Sequence, residues 1–133
     1  MALTKGRNTI EQGSNVIVLK VKASTKIYEG ALVAVDGGYA IPGKKATGLI
    51  AAGRAEEYVD NTGTGGTNGA RSIRVKRGVF LFENDITNPV TEAHILGTCY
   101  ILDDETVTSL ETGASVAGKV LGFDGDQVIV EIR

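Results

Sequence analysis

Ala31-Leu32-Val33-Ala34-Val35-Asp36-Gly37-Gly38-Tyr39-Ala40-Ile41 is the stretch that decides the fold class. A short apolar run meets Asp36-Gly37-Gly38, which supplies the positive-φ residues of a tight hairpin turn, and the chain returns through Tyr39-Ala40-Ile41. The same grammar repeats on both sides. Upstream, Asn15-Val16-Ile17-Val18-Leu19-Lys20-Val21-Lys22 reads as a strand with Ile17, Leu19 and Val21 on one face and Lys20 and Lys22 on the other. Downstream, Val116 to Phe123, the turn Asp124-Gly125-Asp126 and Gln127 to Ile132 read as a second hairpin.

Between these landmarks lie further short strands. Pro42-Gly43 makes a turn before the run Ala46 to Ala52, and Arg54 to Val59 is read as a strand. Arg71 to Arg77 alternates, with basic residues on its outer face. Gly78 interrupts it, and Val79-Phe80-Leu81-Phe82 is apolar on both faces, which predicts a bend at Gly78 into a buried position. Thr98 to Leu102 and Thr106 to Thr108 follow. The one helical candidate is a single turn, with Thr91 as its cap, Glu92 to Leu96 as its body and Gly97 as its end. Segments at this spacing predict an all-β fold: a compact β-barrel or β-sandwich of about eight to ten short strands with one short helical turn. Residues 1–14 read as a polar N-terminal arm and 15–133 as a single β domain.

Composition agrees with that reading. The chain has 133 residues, 42% hydrophobic and 23% charged, so it carries enough apolar surface for one core. Its 18 glycines and lack of tryptophan suit a turn-rich sheet protein. One cysteine, Cys99, allows no internal disulfide, as expected of a reducing compartment. Nothing in the sequence resembles a secretory leader or a membrane span, so a soluble protein made in the cytoplasm is expected.

Net charge is −2, but it is unevenly spread. Residues 1–82 hold 12 Lys/Arg and 6 Asp/Glu, whereas residues 83–133 hold 2 and 10. If the two halves interleave in space, this asymmetry averages out. If they do not, it can dock identical subunits side by side or orient one face on a charged partner.

The chemistry-bearing residues do not assemble into a catalytic centre. One histidine (His94) and one cysteine are too few for a Cys/His zinc site, and no serine sits in a nucleophile elbow. Cys99 lies in an apolar strand and reads as a small hydrophobe. Gly38-Tyr39-Ala40-Ile41-Pro42-Gly43-Lys44-Lys45 matches half of a phosphate-loop signature, but Lys45 stands where Ser or Thr is needed and no helix follows. The glycines of 63–69 miss the dinucleotide spacing because residue 68 is Asn. The acidic turns Asp103-Asp104-Glu105 and Asp124/Asp126 lack the spacing of an EF-hand loop. Arg71, Arg74 and Lys76 form a basic face without interleaved aromatics, which reads as a solvated or subunit-contacting face. No enzyme activity, cofactor, metal, direct nucleic-acid contact or membrane contact is therefore expected.

Five segments together carry a resemblance. Gly30 to Pro42, Gly53 to Asn61, Arg77 to Phe82, Cys99 to Val107 and Ala117 to Gly122 are similar, in the same order, to segments of the capsid cement, or head decoration, proteins of Mu-like phages and prophages. The resemblance covers roughly residues 15–133. It implies a compact β body in the virion that sits on the outside of the shell and binds the phage major capsid protein. It also implies a small homo-oligomer, a trimer being favoured. No catalytic residues carry over. Partner contacts are expected from exposure, on the arm (Arg7, Asn8, Ile10) and on the segment 60–69 (Asn61, Thr64, Asn68), which has no large apolar side chain and reads as an exposed, mobile loop. A tail or baseplate component and a small β-barrel ligand-binding module are the alternatives; a sugar platform usually needs exposed Trp or Tyr.

Overall fold

In the computed structural model, which describes residues 2–9 and 15–133, the chain is all β apart from one 3-10 turn at Glu92–His94. Among the described residues twelve strands form: β1 (Val16–Lys20), β2 (Thr25–Ile27), β3 (Leu32–Asp36), β4 (Tyr39–Pro42), β5 (Ile50–Ala55), β6 (Val59–Asn61), β7 (Ser72–Lys76), β8 (Gly78–Asn84), β9 (Thr98–Ile101), β10 (Thr106–Thr108), β11 (Val116–Asp124) and β12 (Gln127–Ile132). That exceeds the eight to ten expected, because several pieces are only three residues long.

The strands sort into two lobes by chain order. The first lobe is a sheet in the order β1-β7-β5-β3-β4, joined by the ribbon β2-β6. It curls back on itself where Val21, just past β1, bridges to Ala40 of β4. In the second lobe β8, β12, β11 and β9 pair antiparallel in that order, and β10 pairs both with β9 and, in parallel, with β8. That five-stranded ladder closes into a small barrel, whereas the molecule as a whole is not one closed barrel.

Both expected hairpins form. Gly37 (φ +58°) and Gly38 (φ +93°) occupy the two central positions of the β3–β4 turn, both left-handed as a type I′ turn requires. Gly125 (φ +60°) takes the first central position between β11 and β12.

Two apolar clusters hold the lobes. Phe80, Phe82, Cys99, Ile101, Val120 and Val130 fill the barrel, and Val33, Ile73 and Val75 centre the other cluster. Strand β3 feeds both: Leu32 and Ala34 face the barrel, and Val33 faces the sheet's own interior. A continuous apolar run rather than an alternating one is what a strand buried on both faces needs. Across the same junction the Leu32 N–H donates to the Asp104 carbonyl at 2.7 Å, and the Leu49 N–H donates to Ser115 Oγ at 3.0 Å.

Two local expectations need correction. Arg54 to Val59 is not one strand: pairing stops at Ala55 and resumes at Val59. The Glu56 N–H bonds the Arg74 carbonyl, and the Glu57 carboxylate accepts the Arg74 N–H, so the chain turns there. Gly78 does mark the passage from sheet to barrel, but Val79 and Leu81 do not enter a core. They alternate with buried Phe80 and Phe82 and point outward from the barrel wall.

Candidate interaction surface

The outer wall of the barrel carries more apolar side chain than a solvated sheet face needs. On β8, β12 and β11 the register aligns Val79 with Glu131 and Glu131 with Lys119. One row further, Leu81 pairs with Ile129, beside the bulge that holds Leu121. Val79, Leu81 and Leu121 are exposed, and Ile129 is half-buried. Glu131 carries an ion pair to Arg133 at 3.0 Å at the end of this face. An apolar centre with a charged rim is the anatomy of a protein-docking face.

The same wall runs into an open cleft of about 520 Å³, where Ile50, Leu96 and Val116 stand exposed beside Lys119, Glu131 and Arg133. Leu96 is 66% exposed and left-handed (φ +65°). The position follows a 3-10 turn, where glycine is the usual residue, so a branched side chain there carries strain of about 1 kcal/mol.

The anticipated contact residues divide. Arg7 and Asn8 are exposed, and Arg7 makes a local bond to Thr9 at 3.4 Å. Ile10 lies outside the described residues. Thr64 and Asn68 are exposed. Asn61 is not: it is 1% exposed, and its Nδ2 donates to the carbonyls of Val21, Lys22 and Thr67 at 3.3, 2.9 and 2.9 Å. Its role is to cross-link the segment 60–69 to the chain after β1. The segment is pinned further by Asn68 Oδ1, which accepts the Ala23 N–H at 2.8 Å, and by the Gly66 carbonyl, which accepts the Ser24 N–H. It is exposed at its tip but anchored at several points, which corrects the expected mobile loop. No hydrogen bond or ion pair joins Arg7 or Asn8 to this segment among the described residues.

The reactive side chains have local roles. His94 Nδ1 accepts the Thr91 N–H at 2.9 Å and closes the 3-10 turn. Cys99 is fully buried in the barrel, and desolvation pushes its thiol up to about 12, far from a thiolate at neutral pH. Gly38 to Lys45 runs through β4 rather than into a helix. Among the described residues no group of three or more His, Cys, Asp and Glu is placed to hold a metal ion, and no helix is long and apolar enough to cross a membrane.

Sequence reading passed over two features. One is the outward Val79/Leu81 pair, hidden in an unbroken apolar run. The other is an exposed aromatic pair, Tyr28 and Tyr58, with ring centres 5.3 Å apart. No family model matches the chain, and neither a curated protein nor a solved structure does.

Proposed function

We propose that this chain is a structural virion protein that binds the outside of a phage capsid, stabilises contacts between major capsid protein subunits, and does so as a small homo-oligomer, a trimer by preference. The observation that carries the reading is the barrel wall of Val79, Leu81, Leu121 and Ile129 with its charged rim: a rigid, apolar, β-built face without a partner in the single chain. Binding on such faces across subunit boundaries stabilises whichever shell state is bound. The resemblance supports the same reading, because its five segments are not scattered. They correspond to the β3–β4 hairpin, the β5–β6 stretch, the start of β8, the β9–β10 pair and the middle of β11. Two of them lie in the first lobe and three in the barrel, each on hydrogen-bonded strands.

The test is the copy number of the protein in purified particles of the phage that encodes it, counted against the major shell protein. A ratio near one, or a simple fraction of it, is expected. A handful of copies moves the protein to the tail or a vertex, and its absence from particles removes the capsid reading. Leu81→Glu with Leu121→Glu, both on the outer wall, is expected to leave folding intact and to abolish binding to shells that lack the protein.

One observation favours a second reading, a ligand-binding module. Tyr28 and Tyr58 form an exposed pair with rings tilted by 35°, and exposed aromatic rings are what sugars pack against. Titration with mono- and oligosaccharides, followed by tyrosine fluorescence in wild type and Tyr58→Ala, decides it.

A further inference from the structure

The uneven charge of the sequence survives folding, because the two halves do not interleave. Every strand of the curled sheet and its ribbon comes from residues 16–76, and every strand of the barrel comes from 78–132. The first span holds nine Lys/Arg and five Asp/Glu, the second one Lys and ten Asp/Glu. One lobe is therefore basic and the other strongly acidic.

Neutralisation within each lobe leaves the surplus exposed. In the basic lobe Asp36, Glu56 and Glu57 are each taken by a cation of the same lobe, Lys22, Arg54 and Arg74. Lys20 and Lys76 have no ion pair among the described residues. They sit on the outer face of the β1–β7 pair, where Val18, 64% exposed, stands opposite Arg74. In the acidic lobe Glu131 alone has a cation within ion-pair distance among the described residues, namely Arg133. At one mouth of the barrel Glu83, Asp85, Glu92 and Asp126 line an open cleft of about 900 Å³. Its rim carries Ile86, 97% exposed, and its lining includes Phe123.

Each face thus has an exposed apolar side chain among charges of one sign, and the two signs are opposite. We infer that the β1–β7 face of one copy docks into the barrel-mouth cleft of a second copy, head to tail. On this arrangement Val18 meets the apolar part of the cleft, and Lys20 and Lys76 meet its carboxylates. The two faces are different surfaces, so the contact is heterologous and forms a ring when the rotation closes. The inference gives contact surfaces to the homo-oligomer of the proposed function, and it is tested without any capsid.

The experiment is sedimentation velocity on the full chain and two double variants, Lys20→Glu/Lys76→Glu and Glu92→Lys/Asp126→Lys. All four positions are exposed or half-exposed and outside both cores. Wild type is expected to self-associate, with an affinity that falls at least about tenfold between about 50 and 500 mM salt. Each variant alone brings like charges together and is expected to sediment as a monomer. Mixing them restores association through contacts between unlike variants, which must alternate, so mixed dimers and even-membered assemblies form rather than a closed trimer. A monomeric wild type, variants that associate as wild type does, or a mixture that stays monomeric overturns the inference. Far-UV circular dichroism checks each variant's fold, and Lys20→Gln/Lys76→Gln with Glu92→Gln/Asp126→Asn replace any pair that fails to fold, with loss of wild-type association as their readout. A wild type that stays monomeric yet keeps its expected copy number on particles removes this contact and leaves the capsid reading standing.

Discussion

The guanidinium of Arg54 lies 4.8 Å from the centre of the Phe80 ring, a contact that ties the open sheet to the barrel. Arg54 is held over the ring by Glu56, whose carboxylate accepts from Nε at 2.9 Å and from an Nη at 2.7 Å. A carboxylate at the guanidinium's edge and an aromatic ring at its face fix a planar cation in one orientation, which lysine's ammonium does not reproduce.

Arg54→Ala is expected to lower stability by about 1–2 kcal/mol, the sum of a partly exposed ion pair and one cation–π contact. Arg54→Lys recovers less than half of that. Urea unfolding of both, with Phe80→Leu alone and combined with Arg54→Ala, measures the coupling. A cycle that closes with no interaction energy removes the contact from the stability account.

A second expectation concerns Gly53, where β5 carries a bulge against β3. Its φ is +147°, and a Cβ there would lie 2.1 Å from the Lys76 carbonyl oxygen of β7. Because the obstacle is backbone, Gly53→Ala is expected to cost about 3 kcal/mol or more. Gly37 gives the contrast. It is left-handed too, but a Cβ at that position meets nothing within 4 Å, and asparagine tolerates the conformation. Gly37→Asn is expected to fold with a loss of about 1 kcal/mol or less. Thermal melts of the two proteins separate close approach from backbone conformation.

How much of this was legible follows from what each feature depends on. The hairpins at Gly37-Gly38 and at Gly125 were readable because a tight turn states its requirement locally. The outward Val79 and Leu81 were not, since an apolar run looks the same whether its second face meets a core or a partner. Closure of the barrel depends on β10, three residues long, pairing in parallel with β8 more than twenty positions away. No local pattern announces that pairing. Asn61 sits among Thr and Gly as a loop residue would, and only the carbonyls of Val21 and Lys22, distant in sequence, make it an internal anchor. The charge asymmetry was visible from the start, but its meaning required the topology.

Asp104 supplies a pH test. Desolvation, and then the neighbouring Asp103, raise its carboxyl above the usual range, so its ionisation opposes folding at neutral pH. The cost is present above the folded-state pKa and disappears as pH falls through it. Asp36, Glu57, Asp60 and Asp85 are shifted the other way, chiefly by hydrogen bonds from Lys22, Arg74, Thr62 and Thr108, and their contribution is lost on acidification. Asp104→Asn is therefore expected to melt higher than wild type at neutral pH, with the gap closing by about pH 3 as both proteins weaken. A gap that widens on acidification would contradict the assignment.

The arm gives the last expectation, and it separates folding from binding. The arm's described residues 2–9 are exposed, and the first fully buried core position among the described residues is Val21. Deleting residues 1–14 removes none of the described side chains of either cluster and keeps Asn15, whose carbonyl accepts the Arg77 N–H at 2.8 Å. The truncated protein is expected to melt within a few degrees of wild type. Under the proposed function the arm docks on a neighbouring surface, through Arg7, Asn8 and Ile10, by adding backbone hydrogen bonds to it. Ordering a segment of that length has an entropic cost, so the gain in affinity is modest, about tenfold to a hundredfold. Co-sedimentation of full-length and truncated protein with shells stripped of it measures the difference. Equal binding by the two would confine the contact to the folded body, leaving the outer wall of the barrel as the surface to probe.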